Sequence, residues 1–210
     1  MHKASNMKKF ASFRYPILLM GLILIACQST AQEALTVFLV RHAEKVDHSK
    51  DPDLSPEGYL RAEALAYILS DAEIEGVHST NYIRTRETAS PVADYFKLET
   101  ELYNPMDLPA LARKLKSQGG RHLVVGHSNT TPAMVEFLGG EAGPPVADEW
   151  EYDRLYILTI TQEGVQTLRL RYGKPSSSLP SKIKASSLLV PQTTGSALKS
   201  LQTLGLSARP

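Results

Sequence analysis

The sequence predicts an α/β protein: a three-layer α/β/α sandwich whose sheet is mostly parallel and ends in an antiparallel hairpin. Three observations predict it. Residues 35–40 and 122–126 are apolar runs rich in β-branched and other core-forming residues, the pattern of strands covered on both faces. Strand-like and helix-like segments alternate along the chain, which implies parallel pairing with helices on both faces of the sheet. The last two strand-like segments are separated only by Gln162-Glu163-Gly164, too short for a crossover and suited to a hairpin.

Leu35–Val40 is the first strand. Ser55-Pro56-Glu57 then supplies a helix cap with proline at the first helical position, and Leu60, Ala64, Leu65, Ile68 and Leu69 follow at helical spacing. Ile74–His78 reads as a second strand, and Arg84–Phe96 as a helix interrupted near its start by Pro91. Leu98–Tyr103 is a strand, and Leu108–Lys116 is a helix closed by Gly119-Gly120. His122–Gly126 is the next buried strand, followed by a helix over Thr131–Leu138 that ends at Gly139-Gly140. After a Pro/Gly-rich loop, Arg154–Thr161 and Val165–Tyr172 form the hairpin.

A chain of 210 residues, 42 % hydrophobic, has enough apolar material for a core that needs neither disulfides nor structural metal. The single cysteine excludes an intramolecular disulfide, and no Cys/His spacing is of zinc-site type. The formal charge of +1 is an average over unlike parts. Residues 1–26 carry four bases and no acid, residues 173–210 five bases and no acid, and residues 27–172 hold all 22 acids against 14 bases. That acidic body argues against nucleic acid as a partner.

The basic start through Arg14 and the apolar run Pro16–Ala26 fit an export signal, the run being shorter than the roughly 20 residues of a spanning helix. Leu24-Ile25-Ala26-Cys27 resembles the bacterial lipobox, in which Cys27 becomes the lipidated first residue of the mature chain. The alternative is cleavage after Ala31, which releases a soluble protein. Both place the body in the periplasm or cell envelope, with membrane contact only through the N-terminal lipid. The expected organisation is a signal over 1–26, a folded body over 33–172 and a Ser/Pro-rich, disordered tail over 173–210.

Ligands of open α/β sheets bind beyond the carboxyl ends of the strands. The first buried strand ends in Arg41-His42-Ala43-Glu44, and the later one in Gly126-His127-Ser128-Asn129-Thr130. Arg84 opens the helix between them. Two guanidinium forks match phosphate oxygens, helix starts after Thr80 and Thr130 add backbone donors, and a neutral histidine can attack phosphorus.

In these residues the chain resembles the histidine phosphatase superfamily, the phosphoglycerate-mutase-like proteins. Arg41-His42-Ala43-Glu44 is similar to the family's Arg-His-Gly-Glu signature, with Ala for Gly. Arg84, Thr88 and Ala89 match its Arg-x-x-x-Thr-Ala helix start, and Gly126-His127-Ser128 its second-histidine motif. Leu54-Ser55-Pro56-Glu57-Gly58, with Arg61 and Ala62, is similar to the stretch that follows the signature. The resemblance implies the phosphoglycerate-mutase-like fold and phosphomonoesterase activity on a small phosphorylated substrate, without metal or organic cofactor. It implies His42 as the nucleophile that becomes phosphohistidine, Arg41 and Arg84 as ligands of the phosphoryl group, and His127 as a stabiliser of the charge in transfer. Many members place an aspartate after the second histidine, where this chain has Ser128; Glu87, Glu101 and Asp107 are the remaining candidates for the proton donor.

Other readings use the same residues. Gly126-x-Ser128 is reminiscent of a serine-hydrolase elbow, but Thr130 replaces the last glycine and no histidine follows Ser128. His48, His78 and His122 lack the short paired spacing of a metal site and are expected in loops or at the surface. A phosphomutase lacks an insertion between Arg84 and His127 that could enclose a bisphosphorylated intermediate. A non-catalytic module binding a phosphorylated ligand or a partner is the reading from another class.

Overall fold

The structure is a computed structural model and describes residues 34–147 and 150–176. The expected signal, the lipidation at Cys27 and the tail beyond Ser176 lie outside the described residues. Among the described residues, no helix is long and apolar enough to cross a membrane.

The elements are β1 (Leu35–Arg41), α1 (Pro56–Ile68), β2 (Gly76–Thr80), α2 (Ile83–Phe96), β3 (Thr100–Tyr103), α3 (Leu108–Gln118), β4 (Gly120–Gly126), α4 (Thr130–Leu138), β5 (Arg154–Thr161) and β6 (Gly164–Arg171). They build one six-stranded sheet in the order β3-β2-β4-β1-β5-β6. β4 runs parallel to both β1 and β2, and β2 runs parallel to β3. β5 is antiparallel to β1, and β6 to β5. The three-layer α/β/α architecture with its antiparallel hairpin is thus the one the sequence predicts.

Strand periodicity sorts the core into two layers. Leu35, Val37 and Leu39 of β1 join Val124 of β4 and the apolar stripes of α3 and α4 on one face. Phe38 and Val40, with Leu123 and Val125, face Leu65 of α1, its C-cap Leu69, and Ala89 and Val92 of α2 on the other. β1 sits centrally and is buried from both sides, which is why its sequence shows no polar alternation.

Local chemistry sets the helix boundaries. Ser55 caps α1, its side chain accepting from Gly58 N at 3.2 Å, with Pro56 behind it at the first helical position. Gly58 is required by proximity: a Cβ there would lie 2.2 Å from the Glu44 carbonyl oxygen. Asp107 caps α3 by accepting from Ala110 N at 3.2 Å. α2 continues through Pro91, which cannot donate to the carbonyl of Glu87.

Two expectations need correction. β2 starts at Gly76 rather than Ile74, because its ladder with β4 begins where Gly76 faces His122; Ile74 still packs in the core. His78 and His122 are not surface histidines. They are 2 % and 6 % exposed, and lie 3.1 Å apart through His78 Nε2 and His122 Nδ1. The His122 Nε2–H donates to the Gly119 carbonyl at 2.7 Å, which supplies the partner that a buried imidazole needs.

Candidate active site

The parallel register of β1 and β4 ends with Arg41 opposite Gly126, so the next residue on each strand is a histidine. His42 N donates to the Gly126 carbonyl at 2.9 Å, one further bond that ties the two chain segments together beyond the ladder. The rings of His42 and His127 stand edge to face, with centroids 5.6 Å apart. Gly126 cannot carry a side chain here: a Cβ would lie 2.9 Å from the hydroxyl oxygens of both Thr130 and Thr131. Thr130 Oγ1 accepts from His127 N at 2.9 Å, and Thr131 Oγ1 donates to the Val40 carbonyl at 3.2 Å.

His42 is 4 % exposed, and its Nδ1–H donates to the Ala43 carbonyl at 2.8 Å. A carbonyl can only accept, so in the neutral ring Nδ1 carries the proton and Nε2 keeps its lone pair. Burial is the main cause that lowers the His42 pKa to about 3; the bond to Ala43 opposes it, and the charges of Arg41, His127 and Arg84 add to it. The ring is therefore a neutral base at physiological pH with three cation-forming groups within electrostatic reach.

His127 is oriented by a hydroxyl relay. Its Nε2 lies 3.0 Å from Thr80 Oγ1, which lies 2.9 Å from Thr85 Oγ1. The Thr85 hydroxyl donates to the carbonyls of Thr80 and Tyr82, both at 2.9 Å, and so has no second proton for Thr80. Thr80 consequently donates to Thr85 and accepts from His127 Nε2–H.

The two arginines come from different elements and are both stacked on tyrosine. The Arg41 guanidinium carbon lies 4.2 Å from the Tyr152 ring centre, and Arg41 Nη1 donates to the carbonyls of Ala147 and Glu151, each at 3.2 Å. Arg84 lies 4.4 Å over the Tyr82 ring, which meets His127 edge to face at 5.1 Å. The helical spacing of Arg84 and Thr88 has a direct cause: Thr88 Oγ1 donates to the Arg84 carbonyl at 2.7 Å and accepts from Ala43 N at 2.9 Å. Asp51 caps the first turn of α2 through Ile83 N at 2.8 Å and stands 3.4 Å from Arg84 Nη1. Arg84 Nε is buried and makes no hydrogen bond.

Arg41, His42, Arg84 and His127 are therefore brought together, whereas the three carboxylates considered as proton donors have other partners. Glu87 accepts from Leu54 N at 2.8 Å and from the Tyr59 hydroxyl at 2.7 Å. Asp107 is the α3 cap. Glu101 pairs with Lys114 and stands 3.2 Å from His78 Nδ1; the Lys114 bond holds its carboxyl below its ordinary range, the wrong direction for an acid catalyst. Glu44 of the Arg-His-Ala-Glu run binds Arg61 through both carboxylate oxygens, at 2.7–3.0 Å. Among the described residues, no group of three His, Cys, Asp or Glu is arranged to hold a metal ion.

Sequence reasoning missed the side-chain roles of Thr80, Thr85, Tyr82 and Tyr152. Ser79-Thr80 and Tyr82 stood within the stretch that carries Arg84, and their position at the end of β2 was the available signal; Tyr152 had none.

The sequence model of the histidine phosphatase superfamily (branch 1) matches residues 37–106, from β1 to the turn before α3. The second-histidine motif lies beyond that span, and the fold returns it to the first. Solved structures with this fold include the protein histidine phosphatase SixA in complex with tungstate, at 18 % identity and a TM-score of 0.53, covering 65 % of this chain and 97 % of that one. A mycobacterial glucosyl-3-phosphoglycerate phosphatase aligns at 12 % identity and a TM-score of 0.52, over 68 % of this chain and 100 % of that one. Phosphoglycerate mutase from Bacillus anthracis aligns at 16 % and 0.52, over 68 % and 95 %. No curated protein matches the sequence. Over residues 37–106 the chain is thus similar in sequence to the histidine phosphatase superfamily, and it shares the fold of these solved structures.

Proposed function

We propose that the protein is a phosphomonoesterase that works through a phosphohistidine on His42. The observation that carries this reading is the state of His42: neutral, with Nδ1–H committed to the Ala43 carbonyl and the Nε2 lone pair kept for phosphorus. In the first step Nε2 forms a bond to phosphorus as the ester oxygen leaves with its electron pair and takes up a proton from solvent. In the second, water attacks phosphorus, the N–P bond breaks, and inorganic phosphate departs. Arg41 and Arg84 neutralise the phosphoryl oxygens in both steps, and His127 stabilises the charge that develops on them. The match of residues 37–106 to the superfamily's sequence model supports this class of chemistry.

The test is hydrolysis of p-nitrophenyl phosphate by the purified protein beside His42→Ala and His127→Ala. Turnover that is lost in His42→Ala, together with acid-labile, base-stable phosphate trapped on the wild type, is the expected result. Phosphate binding without turnover across several esters identifies a binding module instead. Export and lipidation at Cys27 are proposed with this function, on the sequence of residues 14–31. Palmitate labelling lost in Cys27→Ser is the expected outcome, and labelling that persists overturns it.

A further inference from the structure

Resting on the phosphomonoesterase reading, we infer that the ester's alcohol portion is a bulky, ring-bearing apolar group, held in the cleft between α1 and the segment Trp150–Tyr152. The cleft, open to solvent and about 920 Å³ in volume, is lined by Val46, Leu60, Trp150 and Tyr152 together with the charged residues Glu44, Lys45, Glu57, Arg61 and Lys174. Three of these are large apolar residues left in water, with Val46 55 %, Leu60 66 % and Trp150 49 % exposed. Scattered apolar residues need no explanation, but a walled cluster beside a reaction site marks a binding surface.

Continuity with the site identifies the occupant. The ring of Tyr152 bounds both spaces: it lines the cleft, supports the Arg41 guanidinium at 4.2 Å and lies 6.0 Å from the His42 ring. Topology places them on the same side. The cleft is built at the end of β1, the start of α1 and the approach to β5, and β5 runs antiparallel to β1, so all of these lie at the carboxyl edge that carries His42. A phosphoryl group held by Arg41 therefore has this cleft beside it.

Glu151 anchors the segment. Glu151, 3 % exposed, accepts from Ala147 N at 2.9 Å, from Arg154 and from Arg171, while its carbonyl accepts from Arg41. With Glu151 anchored in the protein, its neighbours Trp150 and Tyr152 both line the cleft. Two aromatic rings two residues apart favour a planar or cyclic guest over a small polar alcohol.

Trp150 is the chain's sole tryptophan, so its emission reports occupancy whether or not the protein turns over substrate. Benzylphosphonate, a non-hydrolysable ester mimic, is titrated against methylphosphonate with excitation on the tryptophan absorption edge. The expected result is a blue shift and at least about tenfold tighter binding for the benzyl compound, the scale of burying part of one phenyl ring. Leu60→Ser, on an exposed helix position, weakens the benzyl compound more than the methyl one. Trp150→Ala lowers the ratio of kcat/KM for benzyl phosphate over methyl phosphate by about tenfold. Equal affinity for the two phosphonates with silent Trp150 overturns the inference even in an active enzyme. A blue shift that follows protein concentration alone assigns the cleft to a second copy and overturns it too. A benzylphosphonate response in a protein without turnover separates failure of the catalytic reading from failure of this one.

Discussion

Hydroxyl groups decide what the histidines of this site can do. Thr80 and Thr85 are both fully buried, and their proton direction is fixed by the two carbonyls at the end of the relay. Thr80→Val keeps the shape and removes the acceptor of His127 Nε2–H. The expected cost is roughly tenfold in kcat, the kinetic equivalent of one hydrogen bond, with KM little changed. Thr80→Ser, which keeps the hydroxyl and loses the methyl, restores kcat, whereas a purely packing role would leave Thr80→Val unharmed. Arg41, His42, Arg84 and His127 were legible because charged and imidazole groups at strand ends have few structural uses in that order. Thr80 and Tyr152 were not: a threonine ending a strand and a tyrosine in a loop acquire roles only from neighbours remote in sequence. The same limit hid His78 and His122, whose burial depends on facing each other across β2 and β4.

At the level of elements, the stretch around the start of α1 that carries part of the family resemblance has a structural use. Arg61 is 4 % exposed, forks onto Glu44, and donates to the carbonyls of Tyr172 at 2.9 Å and Lys174 at 2.8 Å. One side chain thus fastens α1 to the exit of β1 and to the end of β6. Arg61→Ala leaves a half-buried carboxylate and two carbonyls behind, and should destabilise the fold by about 3 kcal/mol in urea unfolding. Asp107→Ala separates a cap from a catalyst: loss of about 1 kcal/mol with unchanged kcat is expected, and a large fall in kcat would return Asp107 to the site. Element order and type followed from the sequence because apolar period and cap chemistry act locally. Boundaries shifted where pairing took over, as at β2, whose start is set by β4 and not by its own apolar residues.

For the whole molecule, buried neutral histidines tie stability to acidity. His42 and His78 are lowered by burial to about 3 and about 4 from an ordinary 6.5. Below the unfolded value the unfolded chain binds protons that the native chain refuses, so stability is full above about pH 6.5 and declines as pH falls toward the native values. The urea midpoint should fall between pH 7 and pH 4, and His42→Asn should make that slope shallower. An unchanged slope in the variant would show that His42 is solvated in the native state.

The hydrogen bond from Thr131 to Val40 spans 91 residues, and β1 also waits for β5 before its other edge is covered. His42 is thus synthesised early and its surroundings late. Local helices form quickly, but pairing of β1 with β4 requires closure of a long loop. On the proposed function, a chain that is still unfolded would contain Arg41, His42, Arg84 and His127 and yet be inert. Gain of activity during refolding should accordingly lag behind helix formation, a built-in delay that would spare phosphorylated compounds in whatever compartment the polypeptide is made.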